Sequence, residues 1–211
     1  KINIVTHHWR AHVNKGFNIY KKIDDMLLSP KWKEKIQFTY IGNVSDDFTF
    51  NNTKVIKPLA GVELANEIKR HHIYVTGSIN EPSGNHHIEA AQCGLPVMYI
   101  DSGGIPEYCK NIGLSFLENN FEEKLEHMIK NYDLFLNKLN NYPFNSEKMC
   151  NEFYERFNDE ISKKVKIEIS KKVNLVGRYY LKKNRLSNRF RFILSLRANL
   201  ISILSSKLKV I

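Results

Sequence analysis

Over its first 117 residues the sequence alternates short β-rich runs with stretches of helical periodicity, and that alternation confines the chain to one broad architecture. Residues 1–6 (KINIVT) read as a strand from their β-branched content. In 16–28 the apolar residues Phe17, Ile19, Tyr20, Ile23, Met26 and Leu27 recur at helical spacing. Residues 36–41 (IQFTYI) form a second strand closed by Gly42, and 55–59 a short extended piece. A helix over 61–70 follows, then a strand over 73–76, a helix over 84–93, a strand over 96–100, a Gly-Gly turn and a short strand over 114–117. Strands and helices that alternate at this pitch predict a parallel sheet covered by helices on both faces.

From Phe121 the pattern changes to helices alone, over 121–139 and 146–160, separated by Asn140-Asn141-Tyr142-Pro143. Beyond 161 the chain turns basic. Residues 161–211 hold 14 Lys or Arg and one acid, Glu168, a formal +13, whereas 1–160 hold 18 basic and 21 acidic residues, a formal −3. The net charge of +10 therefore belongs to the tail. If 190–208 is helical, Phe190, Ile193, Leu194, Ile201, Leu204 and Leu208 share an apolar face interrupted by Arg197. These features divide the chain into a globular part, 1–160, and a basic helical tail, 161–211, which is expected to meet an anionic membrane surface. Nucleic acid is not among the expected partners.

A composition of 42% hydrophobic and 26% charged residues excludes disordered and fibrous classes. No stretch approaches the roughly 18 uninterrupted apolar residues of a membrane-spanning helix. Cys93, Cys109 and Cys150 show no metal-ligand or redox spacing, which fits a reducing cytoplasm. The chain opens at Lys1 directly on a strand, so a piece of a longer polypeptide without a signal peptide is expected.

Chemistry concentrates in 81–107, EPSGNHHIEAAQCGLPVMYIDSGGIPE. Gly84 and Asn85 stand where a loop enters a helix, and a helix N-terminus offers unpaired amides and a positive dipole end to a phosphate. Glu81 before that turn and Glu89 beyond it repel phosphate, yet two carboxylates suit the hydroxyls of a sugar and a ribose. Ser102-Gly103-Gly104 follows the next strand, and its glycines let backbone amides come close to a ligand. Both loops lie at carboxyl ends of parallel strands, where open α/β sheets bind ligands. The histidine pairs at 7/8, 71/72 and 86/87 predict no metal site, because adjacent side chains diverge on a strand or a helix. Glu107 either binds ligand or braces the following turn.

Seven residues separate Glu81 from Glu89, and the run continues EAAQCGLPV and DSGGIPE. This resembles the E-x7-E signature of retaining family-4 glycosyltransferases, with its EA-x-x-x-G-x-P-V and GG-x-x-E continuation. The opening RAHVNKG (10–16) fits as well, with an Arg and a Lys five apart before a helix. The resemblance covers about 1–118. It implies one half of a GT-B fold: a Rossmann-like parallel sheet with helices on both faces, followed by C-terminal helices, binding a nucleoside-diphosphate sugar without metal or cofactor. The acceptor would sit on an N-terminal domain, without which transfer would be weak or absent, and the protein would act in the cytoplasm or peripherally on the inner membrane face.

Residue by residue, the resemblance implies that Arg10 and Lys15, beside Gly16, neutralise the diphosphate. Glu89 would bind the ribose and Glu81 the transferred sugar. The amides around Ser83, Gly84, Asn85 and His86, with Ser102, Gly103 and Gly104, would hold sugar and phosphate, and the backbone of Leu59 would lie against the base. The sequence departs from the family at His72, where Asp is usual, and at Ser83-Gly84-Asn85-His86, where an F-G pair is commoner. A nucleotide-sugar epimerase lacks this E-x7-E context, and a dinucleotide oxidoreductase would need a G-x-G-x-x-G after the first strand. A non-catalytic nucleotide-sugar-binding subunit that docks to membrane remains the alternative.

Overall fold

The computed structural model describes residues 1–162, with side-chain surroundings to 160. The chain divides into two units, Lys1–Tyr154 and Glu155–Ile211. The tail expected from 161 and its helix over 190–208 fall outside the described residues, apart from the end of one helix.

Six strands, β1 (Ile2–His8), β2 (Ile36–Gly42), β3 (Lys54–Ile56), β4 (Ile73–Thr76), β5 (Val97–Ile100) and β6 (Leu114–Phe116), form one sheet in the order β3-β2-β1-β4-β5-β6. Every pairing is parallel, with Ile4 opposite Phe38 on one side and Ile73 on the other. The helices are α1 (Phe17–Met26), α2 (Gly61–Ile68), α3 (His86–Gln92), α4 (Ile105–Cys109), α5 (Phe121–Lys130), α6 (Tyr132–Leu139) and α7 (Ser146–Ser162). This is the expected Rossmann-like sheet covered on both faces.

Because successive strand side chains point to opposite faces, the sheet builds two cores from alternating residues. Ile4, Phe38, Tyr40, Ile73, Val75 and Met98 pack under α1, α5 and α6 with Ile19, Tyr20, Ile23, Phe121 and Leu125. Val5, Ile41, Tyr74, Val97 and Tyr99 pack under α2, α3 and α4 with Ile68, Ala90, Ala91 and Ile105. Strands buried on both faces read as continuous β-rich runs rather than alternating ones, as this sequence does.

Three local features differ from the sequence-based expectation. β1 runs two residues further, to His8, so both histidines are strand residues and not loop residues. The five-residue α4 hides behind the Gly103-Gly104 turn signal, and Pro106 sits in its first turn, where a missing N–H costs nothing. The single helix expected over 121–139 is two, because the Asn131 amide donates to the His127 carbonyl at 2.8 Å and closes the end of α5.

Order reverses between β1 and β4. From β1 the chain proceeds outward through β2 and β3, then returns to β4 on the other side and continues through β5 and β6. The carboxyl edge at this reversal is the usual place for a ligand in an open α/β sheet, and a crevice opens there.

Candidate functional site

One close crossing joins the loops after β1 and β4 beside the crevice. Gly16, at φ 82°, lies against Gly77, and a Cβ on Gly16 would collide with the Gly77 backbone. Only a residue that tolerates positive φ and lacks a side chain fits there. Beside the crossing, the Ile79 amide donates to the Asn14 carbonyl at 2.9 Å, and the Gly77 amide donates to the Tyr20 hydroxyl at 3.1 Å. That hydroxyl lies 2.6 Å from His8 Nε2. With Gly77 donating to it, the Tyr20 oxygen can give its own proton to His8, so Nε2 is the bare acceptor. Burial above all, then the neighbouring charge of Lys15, holds the His8 pKa well below its ordinary value, which suits that role. The β1–α1 loop and the β4–α3 loop are thus tied into one platform.

A cavity of about 490 Å³ opens on this platform, within the range of small-ligand sites. Arg10, Lys15 and Glu89 supply its charge, and Ile41, Pro58 and Leu59 form an apolar wall from the ends of β2 and β3. His86 reaches the cavity from the start of α3, with its Nε2 3.0 Å from Thr76 Oγ1. Arg10, Lys15, Leu59, His86 and Glu89, named from sequence alone, thus meet in one space. Two cations, an apolar wall and a carboxylate around one cavity supply the groups to take a diphosphate, a base and a diol.

Both carboxylates of the E-x7-E run are engaged by residues distant in sequence. Lys15 Nζ lies 2.5 Å from Glu81 Oε2, with both side chains at least three-quarters buried. His7 Nε2 lies 2.8 Å from Glu89 Oε2. That hydrogen bond, followed by burial acting the other way, leaves the Glu89 pKa below the usual carboxylate range. Glu89 is half exposed and stands on the ridge between the cavity and a neighbouring groove of about 540 Å³. Ser83 and Asn85 line that groove and not the first cavity, while Gly84 is buried between Glu81 and His86.

The glycine turn after β5 is placed differently from the expected direct contact. Gly104 donates its amide to the Glu81 carbonyl at 2.8 Å, and Ser102 Oγ accepts the Asn80 amide at 2.9 Å. Gly103, at φ 62°, lets the two loops approach so closely that a Cβ would strike the Glu81 backbone. Ser102, Gly103 and Gly104 therefore brace the Glu81 loop, and the Gly104 amide is already taken. Glu107 is exposed on α4. His72, where the family usually has Asp, accepts the Asn3 amide on Nδ1 at 3.0 Å and joins β1 to the start of β4.

His7, His8, His86 and His87 cluster at the site, with the His8 and His86 rings 5.0 Å apart and those of His86 and His87 4.9 Å apart. His7 and His8 point to opposite sheet faces. Among the described residues no three His, Cys, Asp or Glu side chains are arranged to hold a metal ion. Sequence reasoning missed His7 as a site residue, and with it Trp9, Ile41 and Pro58 of the cavity wall. The available signal was position: His7 and His8 end the first strand, at the edge where the Arg10 loop begins.

The fold and this crevice define a Rossmann-like half of the GT-B class. Residues 49–143 match the family described as Glycosyl transferases group 1, a span holding Leu59, Glu81, Glu89 and the Gly103-Gly104 turn but not Arg10 or Lys15. No curated protein matches the chain by sequence. Among solved structures, HepE of Anabaena in complex with UDP superposes with a TM-score of 0.60 at 16% identity, covering 74% of this chain and 48% of that one. Sucrose-phosphate synthase of Thermosynechococcus elongatus gives 0.58 at 17% identity, covering 77% and 46%. The C-terminal domain of a glycosyl transferase group 1 family protein from Francisella tularensis gives 0.52 at 18%, covering 67% and 82%. The chain thus spans less than half the length of the first two. At these identities the likeness is one of fold.

Proposed function

We propose that this chain is the donor-binding half of a retaining, metal-independent glycosyltransferase that uses a nucleoside-diphosphate sugar. The observation that carries the reading is the cavity at the order reversal, which Arg10, Lys15 and Glu89 line together with an apolar set that includes Leu59. In this reading the two cations neutralise the diphosphate and stabilise it as it leaves. Glu89 holds the ribose hydroxyls, the slot at Ile41, Pro58 and Leu59 takes the base, and Glu81 meets the transferred sugar. Glu81 is paired with Lys15, so donor binding exchanges that ion pair for contacts to phosphate and sugar. Ser102, Gly103 and Gly104 act through the loop they brace. The acceptor sits on a second, N-terminal domain, and the basic tail from 161 docks on the inner face of a membrane.

Two relatives of similar fold are described in complex with UDP, one of them with N-acetylglucosamine as well, which makes uridine nucleotides the first to test. Thermal-shift titration against UDP-, GDP- and ADP-sugars, with and without EDTA, tests the reading. One nucleotide family should raise the melting temperature, and chelation should not change the rise. Absence of any shift, or a shift that needs Mg²⁺ or Mn²⁺, overturns it. Transfer or hydrolysis of labelled donor by the full-length protein separates an enzyme from a non-catalytic binding subunit.

A further inference from the structure

Glu89 is half exposed on a ridge between two open spaces, and a glutamate in that position would ordinarily sample several rotamers. One group prevents this. His7 Nε2 lies 2.8 Å from Glu89 Oε2, and the two residues are 82 apart in sequence. We propose that His7 is a positioning residue that holds the Glu89 carboxylate ready for the ribose diol and so confers preference for ribose-bearing donors. The inference rests on the reading of Glu89 as the ribose-binding carboxylate.

The His7 ring is itself fixed. It is about nine-tenths buried at the end of β1, with the Tyr74 ring edge-on at 5.5 Å. The Tyr74 hydroxyl brackets the His7 backbone, accepting from its amide at 3.2 Å and donating to its carbonyl at 3.3 Å. The tautomer follows from the partners. A carboxylate only accepts, so Nε2 carries the proton that Glu89 receives. Nδ1 is buried with no partner among the described residues, and a bare acceptor there is less costly than an unpartnered N–H. His7 therefore presents one donor in one direction. A carboxylate has about four lone-pair sites, so after His7 takes one on Oε2 both oxygens can still receive ribose hydroxyls.

A carboxylate already oriented loses less freedom on binding than one that must be ordered by the ligand. The energy of the His7 bond thus reaches the ligand only through the diol, which distinguishes positioning from general support of the fold.

The test is isothermal titration of the full chain with UDP, GDP and ADP, each beside its 2′,3′-dideoxy counterpart. The wild type should prefer the ribose form, and Glu89→Ala should abolish that preference. His7→Phe should lower affinity for the ribose form about tenfold, the scale of one hydrogen bond, and leave the dideoxy form unchanged. His7→Gln, which keeps an N–H near the Nε2 position, should restore most of the loss. The double variant His7→Phe/Glu89→Ala should bind no worse than Glu89→Ala alone. His7→Leu removes the donor with a smaller side chain, so the comparison survives if the larger ring disturbs packing. Equal loss for ribose and dideoxy forms, or no loss in either His7 variant while Glu89→Ala abolishes the preference, overturns the positioning role alone. A Glu89→Ala variant that keeps the ribose preference overturns the Glu89 reading and this inference with it.

Discussion

Lowering the pH from 7 to 5 should destabilise this fold well before its carboxylates titrate, and His87 shows how much. Its side chain is fully buried, and neither ring nitrogen has a hydrogen-bond partner among the described residues. Burial, set against weaker opposing effects of Glu81 and Glu89, lowers its pKa from 6.5 to about 4. In the unfolded chain the imidazole titrates near its ordinary value. Below about 6.5 the unfolded state therefore binds a proton that the folded state refuses, and stability falls as pH falls. Between pH 7 and pH 5 this one group removes about 2 kcal/mol, and the loss approaches about 3.4 kcal/mol only once pH falls well below 4. His8 and His86 are also lowered by burial and act in the same direction. Against a total stability of about 5–15 kcal/mol such a loss is large. Urea unfolding of the whole chain at pH 7, 6 and 5 measures it. With a slope of about 2 kcal/mol per molar, the midpoint should drop by about 1 M or more. His87→Leu should unfold at pH 7 at or above the wild-type midpoint, since it removes a polar group with no partner. It should also show about 2 kcal/mol less loss on going to pH 5. A wild-type midpoint that does not move between pH 7 and 5, or a His87→Leu variant with the full pH dependence, refutes the reasoning.

Four further outcomes are expected. Lys15→Ala and Arg10→Ala should each weaken nucleoside-diphosphate binding by about 1.5–3 kcal/mol and spare the bare nucleoside, measured by titration calorimetry. Glu81→Gln should bind bare nucleoside diphosphate slightly more tightly, by up to about 1 kcal/mol, because Lys15 loses its competing partner, while transfer by the full-length protein falls. Gly16→Ala should cost about 2–5 kcal/mol in urea unfolding, since positive φ and the Gly77 backbone both oppose a Cβ. Asp24→Ala should cost about 3 kcal/mol or more by the same assay, because the buried carboxylate accepts the amides of Asn51, Asn52 and Thr53 and the Thr53 hydroxyl.

The sequence by itself determined the layers, the approximate elements and much of the membership of the site. Apolar periodicity is local, and each strand or helix reports its buried faces through its own spacing, so a parallel sheet with two covered faces could be read directly. Glu89 and His86 were legible because loops after parallel strands are where ligands bind, whatever the strand order, and Arg10, Lys15 and Leu59 through the family resemblance of their surroundings. What only the tertiary structure decided is which of these groups touch. The Lys15–Glu81 and His7–Glu89 contacts join residues 66 and 82 apart, and they exist because β4 returns to lie beside β1. The same return lays the glycine turn after β5 against the backbone of the Glu81 loop. His7 was hidden for a related reason. Its position at a strand end marks only the edge it lies on, and its contact with Glu89 comes from the helix that the fold places over it.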